Sequence, residues 1–140
     1  MSLFVLDTDI LTLNQQRHPV VTRRIAEHAP NELAICVISV EEQLSGWYAV
    51  LRQAKSKVHL ARAYSRLAKC IESLAGISVL PFDEDCIDRF DGLKSRKTPV
   101  RTMDLRIAAT VLEFGGILVT RNTRDFRHVP DLIVEDWSQP

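Results

Sequence analysis

Leu3-Phe4-Val5-Leu6-Asp7-Thr8-Asp9 begins with four apolar residues and is then cut off by two carboxylates two positions apart. A short, unbroken apolar run of this kind is the pattern of a strand covered on both faces, as strands are in parallel sheets. Working outward, the pattern recurs. Leu33-Ala34-Ile35-Cys36-Val37-Ile38 reads as a second strand and Ile77 to Leu80 as a third. Ile117-Leu118-Val119 reads as a fourth, and Leu132-Ile133-Val134 as a shorter fifth.

Helical patterns fill the intervals. One starts near Pro19, with Val21, Ile25 and His28 on one face. Ser39 opens the next, where Val40, Leu44, Trp47 and Leu51 recur at helical spacing. The longest covers about Lys55 to Leu74. Its apolar seam is Leu60, Tyr64, Leu67, Ile71 and Leu74, with Lys55, Arg62, Arg66 and Lys69 on another face and Gly76 at the C-cap. Asp83 begins a further helix. After a basic loop from Lys94 to Arg101, the last runs from Thr102 to Phe114 and stops at Gly115-Gly116. Strands alternating with helices predict one α/β domain over residues 1–140, with a mainly parallel sheet of about five strands flanked by helices.

Composition narrows the function. The chain has 140 residues, 46% hydrophobic and 26% charged, which suits a folded globular protein rather than a disordered one. Eighteen basic residues balance eighteen acidic ones, so this is not a chain built wholly to bind polyanions. A local basic surface on an enzyme remains compatible with that balance. Cys36, Cys70 and Cys86 are odd in number and widely spaced, which excludes a disulfide framework and a C-x-x-C zinc pair. They read as small core residues in a reducing cytosol. The first apolar run stops after four residues, and none approaches the roughly 20 needed to cross a bilayer. The expectation is a cytoplasmic protein with no membrane partner.

The acids repay closer reading. Asp7 follows the first strand, Glu42 follows the second, and Asn122 and Asp125 follow the fourth. In a parallel sheet these positions share the carboxyl edge, where α/β folds bind ligands. Asp104, in the first turn of its helix, can face the same cleft. Each acid alone has an ordinary structural use. Asp7 or Asp9 can cap a turn, Ser39-x-x-Glu42 has capping-box spacing, and Asp104 gains from the helix dipole. Gathered together, they repel one another unless a hard divalent cation offsets the charge.

Four segments carry a resemblance. Val5-Leu6-Asp7-Thr8-Asp9-Ile10-Leu11, Ile38-Ser39-Val40-Glu41-Glu42-Gln43-Leu44-Ser45-Gly46, Asp104-Leu105-Arg106-Ile107-Ala108-Ala109 and Leu118-Val119-Thr120-Arg121-Asn122-Thr123-Arg124-Asp125-Phe126 resemble, in order, the motifs of PIN domains. The likeness is greatest to the toxin nucleases of bacterial VapBC toxin–antitoxin pairs, and it extends to the tail at Val134-Glu135-Asp136-Trp137. Two departures stand out: Thr98-Pro99-Val100-Arg101 lacks the glycines usual before the third motif, and Asn122 stands where some relatives carry aspartate.

The resemblance implies a Mg²⁺- or Mn²⁺-dependent endoribonuclease that cleaves RNA by a metal-activated water and is held inactive by a VapB-like antitoxin. It implies Asp7 and Asp104 as principal metal ligands, Glu42 as a direct or water-mediated one, Asn122 as an orienting group and Asp125 as the residue completing the ring. It further implies a homodimer. A PIN nuclease of RNA processing without an antitoxin, and a catalytically silent PIN fold that only binds RNA or protein, are the alternatives. His18, His28, His59 and His128 show no ligand spacing and read as surface or packing residues. Lys94, Arg96, Lys97, Arg101 and Arg106, with Arg121, Arg124 and Arg127, bracket the acids in sequence and suit phosphate contacts. The Lys55-Arg62-Arg66-Lys69 stripe reads more simply as a solvated helix face.

Overall fold

A computed structural model describes residues 2–140. Strand β1 (Phe4–Leu6) is central, paired in parallel with β2 (Leu33–Cys36) on one side and β4 (Ile117–Val119) on the other. β3 (Ser78–Leu80) and β5 (Val134–Glu135) extend the two flanks, giving the order β3-β2-β1-β4-β5 with every pairing parallel. The fifth strand thus starts two residues later than its apolar run suggests and ends one residue later. It is the backbone N–H of Thr120 bonding to the Glu135 carbonyl, at 2.9 Å, that carries the pairing to Glu135.

The helices are α1 (Thr8–Gln15), α2 (Pro19–Ala26), α3 (Val37–Gln53), α4 (Lys57–Leu74), α5 (Glu84–Lys94), α6 (Thr102–Glu113) and the short α7 (Thr123–Phe126). Two apolar clusters sandwich the sheet. One joins Val5, Cys36 and Leu118 to Ile107, Ala108 and Val111 of α6. The other joins Leu6, Ile35 and Val119 to Ile10, Leu11, Val21 and Trp137. The three cysteines are buried and free, and burial pushes the Cys36 thiol up to about 12. No helix among the described residues is long and apolar enough to cross a membrane.

Three local expectations change. The chain turns into α1 immediately after Asp7, where the sequence suggested only a turn; Asp7 caps this helix, accepting the Thr8 N–H at 2.8 Å. The second strand ends at Cys36, and α3 already begins at Val37. Ser39 therefore lies inside the helix, wholly buried, and Ser39-x-x-Glu42 is not a capping box. On α4 the inward residues are Ala63 and Cys70, with Leu67 and Leu74 half-buried, while Leu60, Tyr64 and Ile71 of the anticipated seam are exposed. The apolar stripe is wider than the face α4 presents to α3.

Two glycines stop α6. Gly115 takes the left-handed backbone (φ 66°), and Gly116 passes so close to β1 that a Cβ there would stand 3.1 Å from the Leu3 carbonyl oxygen. His18 caps α2 through Nδ1, and His28, just beyond that helix, stacks on Trp137 at 4.7 Å, so both serve packing and capping.

Candidate active site

β1 ends at the carboxyl edge of the sheet with Asp7, which is only 6% exposed. Its Oδ1 is taken up by the α1 N-cap, and its Oδ2 accepts the Thr120 hydroxyl from the end of β4 at 2.7 Å. Burial raises the Asp7 carboxyl to about 7, with Asp9 and Asp104 adding repulsion against the relief given by Thr120 and Thr8. Helix α6 presents Asp104, 7% exposed, from its first turn. Arg101 forms a long ion pair with Asp104, its Nε 3.6 Å from Oδ2, and that buried oxygen accepts no hydrogen bond. Desolvation again lifts the carboxyl above its ordinary value, against the pull of Arg101 and with help from Asp125.

Glu42 enters from α3. Its Oε1 accepts the Thr8 hydroxyl at 2.7 Å, and Thr8 also meets the buried Ser39 hydroxyl at 3.0 Å. Partial burial raises Glu42 as well, with Asp104 among the groups that repel it. Asn122 and Asp125 form a pair at α7, the Asn122 amide donating to Asp125 Oδ2 at 3.0 Å, and the Asn122 N–H bonds to Thr120 Oγ1 at 3.0 Å. Hydrogen bonds or mutual repulsion connect all five anticipated residues at this end of the sheet.

Thr8, Ser39 and Thr120 complete the frame, and sequence reading passed over them because small hydroxyl residues carry no distinctive spacing. Asp9, first read only as a possible cap, ties α1 to the β4–α7 loop by accepting the Arg121 N–H at 3.1 Å, and its other oxygen is buried without a partner. A surface cavity of about 480 Å³ lies elsewhere, between α5, α6 and the Pro130–Asp131 turn, and none of the five residues lines it.

Several acids raised together, with orphaned buried oxygens on Asp104 and Asp9, form a site short of positive charge. That is the donor set of a hard divalent cation. Among the described residues no three His, Cys, Asp or Glu side chains are already gathered as a ligand cage.

A family model described as PIN domain matches residues 4–132, nearly the whole chain. The chain belongs to the PIN domain family. Among relatives, this PIN domain is 26% identical to a protein named Ribonuclease VapC1 of Haemophilus influenzae strain R2866, over 98% of this chain and 99% of that protein. Among solved structures, it is similar to a chain in VapBC2 of Rickettsia felis bound to a DNA fragment from their promoter. That match has a TM-score of 0.78 and 24% identity, and covers 96% of this chain and 98% of that one. A chain of VapBC-1 from nontypeable Haemophilus influenzae gives a TM-score of 0.75 at 22% identity, with 98% and 99% covered. These structural likenesses establish the fold: a parallel five-stranded sheet flanked by helices.

Proposed function

We propose that this PIN domain is a divalent-metal-dependent endoribonuclease, the toxin of a toxin–antitoxin pair. The observation that carries the reading is the charge-deficient cleft where Asp7 and Asp104, both buried, face each other's field across the carboxyl edge. The full-length likeness to proteins named Ribonuclease VapC1 supports the activity. The neighbouring VapBC complexes support a VapB-like antitoxin as partner, and a homodimer is proposed with it.

Asp7 and Asp104 would hold Mg²⁺ or Mn²⁺, with Glu42 contributing directly or through water and Asp125 closing the ring. Bound there, the cation supplies a water of lowered pKa and positive charge against the phosphate oxygens. The protein's own work is positional. Thr120 and the α1 N-cap fix both oxygens of Asp7, and Thr8 fixes Glu42. Asn122 spends one amide N–H on Asp125 and keeps the other for a phosphate oxygen. Arg101, largely solvent-exposed, stands at the mouth as a phosphate contact.

The test is incubation of purified, antitoxin-free protein with mixed RNA, with and without Mg²⁺ or Mn²⁺, beside Asp104→Asn. Cation-dependent cleavage lost in the variant is expected. Cleavage unaffected by Asp104→Asn would remove the metal-site assignment. No cleavage by well-folded protein with either ion would favour the silent binding fold.

A further inference from the structure

The basic stripe on α4 does not stand alone against solvent. Between α3 and α4 lies a cavity of about 220 Å³ lined by His59, Arg62 and Arg66. Arg66 also lines a second cavity, of about 410 Å³, together with Lys69, Trp47 and Gln15. Trp47, Thr12 and Gln15 in turn line a third, of about 320 Å³, which ends on Thr8 and Glu42 at the acidic centre. Shared lining residues place the three in series, an adjacent run of hollows from the α3–α4 turn to Thr8 and Glu42 that is called the trough below.

The charge of its outer two hollows is one-sided. No acidic residue lines the first two cavities. Arg62, Arg66 and Lys69 are exposed and, among the described residues, have no carboxylate within ion-pair distance, so their charge is uncommitted. In a chain of zero formal charge, this concentrates positive potential on a path towards the cleft. The three residues recur on one helix face over about 10 Å, the length of a short run of phosphates. Trp47, half-buried where the second and third cavities meet, offers the one indole that is not sealed in the core, since Trp137 is fully buried. A cationic groove with an aromatic platform is the arrangement that binds single-stranded nucleic acid.

We propose that this trough is the entry path for single-stranded RNA, with backbone phosphates on Arg62, Arg66 and Lys69 and one base against Trp47, delivering the strand to Glu42 and Asp7. The proposal rests on the nuclease reading for its direction of travel. Gln43 ties α3 to α1 beside Trp47: it is buried on α3 and exchanges amide hydrogen bonds with Gln15, each at 3.1 Å.

The probe is a fluorescein-labelled single-stranded RNA of about 12 nucleotides, within the length such grooves take. Binding is read by anisotropy across a salt series in an Asp104→Asn background that prevents cutting. Arg62→Ala/Arg66→Ala/Lys69→Ala should weaken binding roughly tenfold or more and lower the salt slope by about 2, the loss of three phosphate contacts. Unlabelled RNA should quench tryptophan emission in the parent and leave Trp47→Phe unquenched; duplex RNA should quench neither. In the cleavage-competent chain, the triple variant should raise KM while leaving kcat within about twofold, the pattern of lost uniform binding. Circular dichroism checks that the variants fold. Unchanged affinity, slope and quench in them would overturn the trough, whatever else occupies it, while cation-dependent cleavage by the parent would leave the nuclease reading standing. Trough-dependent binding without cleavage under any cation would uphold the trough and end the nuclease reading.

Discussion

The Thr120 hydroxyl joins the ends of two neighbouring strands, donating to Asp7 Oδ2 at 2.7 Å and accepting the Asn122 N–H at 3.0 Å. One side chain thus holds the buried acid of β1 and the first turn of the loop that carries Asn122 and Asp125. Thr120 is itself fully buried, so this geometry cannot be replaced by water. Removing the hydroxyl with Thr120→Val keeps the volume but leaves Asp7 with one fewer donor. The bond lowers the Asp7 pKa, so its loss should move it further up. A hydrogen bond to a charged group contributes about 1.5–3 kcal/mol, roughly one to two pH units. The expected outcome is a cleavage–pH profile whose rising limb shifts to higher pH. A profile unchanged in position would mean Asp7 does not set that limb.

Stability of the cation-free protein should carry the same signature. Asp7 moves from 3.8 to about 7 on folding, and Asp9, Glu42 and Asp104 move in the same direction. Between those two values the folded state holds more protons than the unfolded, so stability is fullest below about pH 4 on this account and falls as pH rises through about 7. Asp7→Asn should flatten that fall and raise Tm at pH 8. Mg²⁺ or Mn²⁺ should raise the Tm of the unaltered protein at pH 8 and do little at pH 5, where protons compete for the same oxygens. Thermal melts at several pH values, with chelator or cation, check both.

The sequence made the centre of the sheet legible because β1, β2 and β4 are buried on both faces, so each reads as an unbroken apolar run. That Asp7, Asn122 and Asp125 lie near one another was legible for a related reason: the ends of β1 and β4 share one edge of a parallel sheet. What stayed hidden depends on where a helix begins. Val37 and Ile38 suit strand and helix alike, and only the bend after Cys36 turns them into α3 and carries Ser39 inside. Helix α1 was missed because Asp7 ends a strand and caps a helix with the same residue. On α4, apolar residues on two adjoining faces hide which one packs, and only the neighbour α3 decides for Ala63 and Cys70.

Gly116 offers a test of the close approach beneath β1. A methyl there would meet Val5 Cγ2 at 3.0 Å and the Leu3 carbonyl oxygen at 3.1 Å. Ile117 donates its N–H to that same carbonyl at 2.8 Å, so the strand cannot retreat without losing a ladder bond. Gly116→Ala should destabilise by about 1–3 kcal/mol, the range of core overpacking. Denaturant melts check it, with Gly46→Ala, where a Cβ meets nothing within 4 Å, as the comparison expected to be neutral or better.

Trp137 makes the longest reach from tail to site. It is fully buried, donates its indole N–H to Glu135 at 2.9 Å, lies face to face with His28, and packs in the cluster that contains Leu6 and Ile10. Those two residues flank the Asp7–Asp9 turn, so the tail braces the turn from below. Trp137→Ala should cost about 3–5 kcal/mol, as for other buried aromatics. Trp137→Phe, retaining most of the volume, should cost much less and leave Trp47 as the only tryptophan in the chain. If the brace matters to the site, Trp137→Ala held below its melting temperature should also lose cation-induced stabilisation, while Trp137→Phe keeps it. Full cation stabilisation in the alanine variant would confine Trp137 to the core and leave Thr120 and the α1 cap as the supports of Asp7.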